Sequence, residues 1–137
     1  MDTRVVVLGL GSEEYAISTE RVSQVIAAPR VTPVPTAPPA VLGVFNLRGE
    51  VVPLLDLPRL LGLGSAAGNA MPFAVVVETP RGRAGLTVEG LPHFGALGPE
   101  VGTSERPGVT SIHSIGDALV SLLDADALLD PVRLGPG

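Results

Sequence analysis

The stretch VLGVFNLRGEVVPLLDLPRLL, Val41 to Leu61, holds a short polar turn, Asn46-Leu47-Arg48-Gly49-Glu50, between two apolar runs. Two strand-forming runs around a glycine-containing turn read as a β-hairpin, because Gly49 accepts a positive φ at little cost. Such a hairpin aims Arg48 outward from a rigid scaffold. Val51, Val52, Leu54 and Leu55 do not alternate with polar residues, so the second strand is expected to be covered on both faces. One face would fill its own barrel and the other a seam between lobes. Directly after it, Asp56 can accept backbone N–H bonds as an N-cap and Pro58 suits a first helical turn. This predicts a short helix over DLPRLLGLG that Gly62 ends.

The pattern occurs a second time. Placing GVFNLRGEVVPLLDLPRLL over SIHSIGDALVSLLDADALL aligns Leu54, Leu55 and Asp56 with Leu122, Leu123 and Asp124, and Leu60-Leu61 with Leu128-Leu129. Each copy reads as strand, turn, strand, capped helix, the second helix stopped by Pro131. Upstream, VVVLGLGSEEYAIS and VVVETPRGRAGLTV form another pair at nearly the same offset, Val5 matching Val75. The duplication implies two similar small β lobes, each too poor in apolar bulk to be comfortable alone.

Fourteen prolines and seventeen glycines cut the chain into short pieces, which favours strands over long helices. Strands are predicted at Arg4 to Leu10, Glu14 to Ser18, Val22 to Ala27, Val41 to Leu47, Glu50 to Leu55, Phe73 to Thr79, Arg83 to Val88, Val109 to Ile115 and Ala118 to Leu123. Ala28 to Ala40 carries too many prolines for a central strand and reads as an extended connector. LGSAAGNAMP and LGPEVGTSERPG read as exposed loops. The expected class is all-β with short helices, in one domain over residues 1–137.

Composition narrows the chemistry. The net charge is −5, with nine arginines and no lysine, which disfavours a binder of nucleic-acid phosphates. Without lysine there is no Walker A loop or Schiff base; without cysteine there is no disulfide, thiolate nucleophile or sulfur-ligated metal. The N-terminus lacks a signal-peptide pattern and no apolar run is long enough to cross a bilayer, so a cytoplasmic protein without membrane insertion is expected.

Beyond this derivation, AVLGVFNLRGEVVPLLDL resembles the N-L-R-G hairpin of the CheW-like domain, the fold of bacterial chemotaxis coupling proteins and of the regulatory domain of the CheA histidine kinase. VLGLGSEEYAISTERVSQVI, VTPVPTAPPAVLGV and VVVETPRGRAGLTVEGLPHF are similar to other parts of that family's pattern, in order, so the resemblance covers about Val5 to Leu129. It implies two SH3-like five-stranded β-barrels around a shared hydrophobic core. It also implies a non-enzymatic adaptor, without cofactor, joining the cytoplasmic tips of chemoreceptors to the kinase's regulatory domain in membrane-associated arrays. A coupling protein of a pilus-motility or developmental array is the neighbouring expectation.

Carried over residue by residue, Val22, Gln24 and Val25 would line a receptor-binding groove, with Leu91 and Phe94 facing them from the other lobe and Arg48 beside it. Gln24 stands where the family usually has Glu, which removes an ion pair with Arg48. Gly43, with Asn46, Leu47 and Gly49, belongs to the structural motif, Gly43 letting strands pack closely. Val75 and Val77 are assigned to a kinase-binding surface.

Rival readings are weaker. His113 with Ser111, Ser114 and Asp117 holds the residue types of a hydrolase triad, but all four lie in one strand-turn segment, where alternation is expected to separate them, and no G-x-S-x-G elbow occurs. His113 aligns with Phe45 and reads as a packed strand position. His93 is a lone loop histidine, a weak metal ligand. Asp124, Asp126 and Asp130 hold the residue type of a cation site, but helix capping and first-turn placement explain Asp124 and Asp126, and that reading is preferred.

Overall fold

The computed structural model describes residues 3–64 and 71–130. It contains eleven strands: β1 (Thr3–Leu10), β2 (Glu13–Ser18), β3 (Val22–Ala27), β4 (Val41–Leu47), β5 (Glu50–Leu55), β6 (Phe73–Thr79), β7 (Gly82–Val88), β8 (His93–Leu97), β9 (Glu100–Gly102), β10 (Val109–Ile115) and β11 (Ala118–Leu123). Helices α1 (Leu57–Leu60) and α2 (Ala125–Leu128) follow β5 and β11. The nine expected strands are present within a residue at each end. Both β8 and β9 were not expected, and β9 lies inside a stretch read as loop. Of the other expected features, part of the loop over LGSAAGNAMP and the helix stop at Pro131 lie outside the described residues.

One sheet runs β8-β1-β2-β11-β10-β9 and the other β3-β6-β7-β5-β4. The first therefore has six strands where five were expected. The lobes also do not coincide with the sequence copies. β2 lies parallel to β11, Glu14 opposite Val120, and β7 lies parallel to β5, Gly85 opposite Leu54. Each lobe thus joins the opening hairpin of one copy to the closing hairpin of the other. The third strands are exchanged too, β3 pairing with β6 and β8 with β1. Consequently the second lobe, β3 to β7, is continuous in sequence, while the first is built from both ends of the chain.

Each sheet curls back on itself and is closed by a few backbone bonds. In the first lobe, Gly98 N–H donates to Ser114 O (2.9 Å) and Ser114 N–H to Pro99 O (3.2 Å), joining the end of β8 to β10. In the second, Thr32 on the proline-rich connector exchanges two bonds with Val44 of β4, at 2.8 and 2.9 Å. Both closures need a glycine. A Cβ at Gly43 would lie 2.7 Å from Thr32 O, and one at Gly98 only 2.1 Å from Ser114 O.

Strand alternation sorts the apolar side chains into three cores. On β1, Val5 and Val7 fill the first barrel with Ala16 and Val120, while Val6, Leu8 and Leu10 turn to the seam. On β6, Ala74 and Val76 fill the second barrel with Phe45, Val52 and Leu54, while Val75 and Val77 turn to the seam. Tyr15, Ile17, Leu86, Val88 and both helices complete that shared layer. This explains why β1 and β6 are apolar on both faces. Val51 departs from the expectation for β5: it is 68% exposed, at the hairpin end beyond the reach of either core.

Both helices are capped as the sequence implies. Asp56 Oδ1 accepts from Arg59 N–H (3.3 Å) and Asp124 Oδ1 from Ala127 N–H (3.2 Å). Asp126, beyond its first-turn position, is held by Arg21 through Nη2 to Oδ2 (3.0 Å) and Nε to Oδ1 (2.9 Å), which pins α2 to the crossover between lobes.

Candidate interaction surface

The quoted hairpin is a two-residue turn, with Leu47 opposite Glu50 and both central residues left-handed: Arg48 at φ 51° and Gly49 at φ 90°. Asn46 Oδ1 accepts from Gly49 N–H (2.9 Å), which fixes the turn, and Leu47 packs against the barrel core. Such turns match the twist of the flanking strands but disfavour a residue with a Cβ at the first central position. Arg48 is the one non-glycine among the described residues with positive φ. In the second copy the same place is occupied by Gly116, at φ 60°. Arg48 is exposed and forms no ion pair among the described residues, so nothing in the fold rewards its strain. Arg48→Gly is expected to raise stability by about 1 kcal/mol in thermal unfolding, since the strain is relieved and no ion pair among the described residues is lost.

At the seam's edge, β3 of one lobe and β8 of the other leave a narrow apolar groove. Its volume is about 150 Å³, below the several hundred cubic ångströms of a small-molecule site. Val22, Gln24 and Val25 line it from β3, Pro92, His93 and Phe94 from the opposite side, and Val6 and Thr19 from between. Val25 is 39% exposed and Phe94 71%. Of the six expected receptor-binding residues, four meet here. Leu91 is exposed one residue before Pro92 without lining the groove, and Arg48, on the β4–β5 hairpin, does not line it either. His93 and Thr19 were not expected in the groove; no periodicity marks them, because they sit where a strand begins and where one has just ended.

Val75 and Val77 must be corrected. Both are fully buried in the seam, because β6 lies between β3 and β7 with a core on each face. They cannot form a surface for the kinase. The apolar side chains that do reach solvent elsewhere include Val51, Val101 and Leu119.

The residues of the hydrolase reading are also clarified. Ser111 and His113, two apart on β10, share a face rather than being separated: Ser111 Oγ lies 2.7 Å from His113 Nε2, and Nδ1 lies 2.8 Å from Gly98 O. A carbonyl acceptor requires the proton on Nδ1, so Ser111 donates to Nε2. The orienting carboxylate of a triad is replaced by a backbone carbonyl at the barrel closure, Ser111 is buried, and Asp117 lies exposed in the following turn. Tyr15, buried in the seam, donates its hydroxyl to Glu13. Burial, and then that bond, push its pKa far above the ordinary tyrosine value, so it stays protonated and serves as a fixed donor. Among the described residues no group of three His, Cys, Asp or Glu side chains could hold a metal ion.

The pattern that defines the CheW-like domain matches residues 4–133. The chain belongs to the CheW-like domain family. As a CheW-like domain it is similar to the "Probable chemotaxis protein CheW" of Rhizobium etli, 27% identical over 135 residues, 93% of this chain and 87% of that protein. It is also similar to "Protein FrzA" of Myxococcus xanthus, 40% identical over 57 residues, 42% of this chain and 36% of that protein. The fold matches that of the scaffolding protein TtCheW from Thermoanaerobacter tengcongensis with a TM-score of 0.80 and 24% identity, over 95% of this chain and 94% of that one.

Proposed function

We propose that this CheW-like domain is a chemotaxis coupling adaptor without chemistry of its own, forming one domain that binds the cytoplasmic tip of a chemoreceptor and the regulatory domain of a CheA-type kinase. The observation that carries this reading is the exposed apolar groove between β3 and β8. An aliphatic and aromatic cleft between two rigid barrels suits the apolar stripe of a receptor helix, read through main anchors at helical spacing. Because the two walls belong to different lobes, an occupant bridges them, and occupancy can shift a kinase held on another face. That second face is drawn from exposed apolar residues such as Val101 and Leu119. The protein works in the cytoplasm, recruited to receptor arrays; no helix among the described residues is long and apolar enough to cross a membrane.

The test is binding of the receptor tip and of the kinase's regulatory domain to wild type, Val25→Asp and Phe94→Asp. A carboxylate in the groove should weaken receptor binding by at least roughly tenfold, since it must be desolvated without a partner. Kinase binding and the melting temperature should hold. Receptor affinity unchanged in both variants would remove the groove from the function.

A further inference from the structure

The groove has a charge character that its family membership does not supply. None of the residues lining it is a carboxylate, although the chain as a whole carries a charge of −5. Gln24 is neutral, and the one ionisable group on the walls is the imidazole of His93. At the groove's end stands an arginine. Arg4 lies opposite Ala96 on the β1–β8 ladder, and Val6 lies opposite Phe94. Residues two apart on a strand share a face, so Arg4 continues the groove face of Val6 and Phe94, roughly 7 Å further along. Its carbonyl accepts from the hydroxyl of Thr19, another lining residue, which ties this end of β1 to the groove (3.3 Å).

Five arginines, Arg21, Arg59, Arg81, Arg83 and Arg106, are paired with carboxylates. Arg4 is exposed and has no ion pair among the described residues. Neither charge on the neighbouring 3-10 turn, Thr19–Arg21, forms an ion pair with it among the described residues: Arg21 is engaged by Asp126, and Glu20 is exposed.

We propose that Arg4 is a specificity-determining contact of the groove, selecting a partner helix that carries a carboxylate about one turn from its apolar anchor. This rests on the groove being the receptor site. A basic side chain at that position of the partner would meet Arg4 and no acidic wall, so the groove discriminates by sign as well as by shape.

The experiment uses full-length protein and the cytoplasmic tip of a chemoreceptor from the same genome as the probe, with Arg4→Gln, Arg4→Glu and Phe94→Asp. Arg4→Gln should weaken binding by about threefold to tenfold and Arg4→Glu by more. Raising salt from roughly 0.05 M to 0.5 M should weaken the wild type but scarcely affect Arg4→Gln. Replacing the facing carboxylate of the tip by lysine should restore binding to Arg4→Glu. Loss of binding in Phe94→Asp with none in Arg4→Glu overturns the charge inference while leaving the groove in place; no loss in any variant overturns both; tighter binding to Arg4→Glu shows the opposite sign of partner and overturns the inference.

Discussion

Gly98→Val is expected to lower stability by about 3 kcal/mol or more, a fall in melting temperature on the order of 10 °C. The cause is local and severe. A Cβ at this position would sit 2.1 Å from Ser114 O, a backbone atom fixed in β10 and therefore unable to move aside as a flexible side chain would. The strand end must retreat, and both bonds between Gly98, Pro99 and Ser114 open with it. The bond from His113 Nδ1 to Gly98 O is strained in the same movement. Gly43→Ala, whose Cβ would meet Thr32 O at 2.7 Å and Val31 Cβ at 2.9 Å, should cost less, about 2 kcal/mol, because the connector it strikes is anchored by one bridge. Thermal unfolding monitored by circular dichroism would rank the two; equal, small losses would mean that the barrels tolerate opening.

The second expected result concerns a pair of caps with the same local role in different surroundings. Asp56→Ala should cost about 3 kcal/mol, whereas Asp124→Ala should cost about 1 kcal/mol. Each aspartate accepts the N–H three residues on, at 3.3 and 3.2 Å. Asp124 is exposed, so water replaces it. Asp56 is fully buried, its side chain faces Arg59 Nε at 4.0 Å, and the adjoining Leu57 N–H is held by the buried hydroxyl of Thr87. Removing Asp56 leaves a cavity and takes the acceptor from the part-buried Arg59 N–H. Denaturant unfolding of both variants measures the difference; equal losses would mean that burial adds nothing to this cap.

Much of the architecture was legible because it is local. The hairpin around Gly49, the caps at Asp56 and Asp124 and the nine strand segments each follow from side-chain type and spacing within a few residues. The repeat was legible as well, but likeness between segments does not say which of them pair, and the exchange of β3 and β8 between lobes is a matter of long-range register. β8, with His93 and Gly95, has little strand character of its own and takes its form from pairing with β1. Val75 and Val77 show the corresponding difficulty for the site: three consecutive valines reveal that a strand is covered on both faces only once its neighbours are known. The groove lay partly within reach, since Val22, Gln24, Val25 and Phe94 followed from the family pattern, while Arg4 became visible only when β1 and β8 were side by side.

The split construction of the first lobe has a consequence during synthesis. The ribosome releases β1 and β2 first, an apolar ribbon whose partners β8, β10 and β11 are still unmade. At ordinary elongation rates that wait is on the order of ten seconds. The intervening residues meanwhile contain every strand of the other barrel, so the nascent chain can close the later half of its architecture before the half it began.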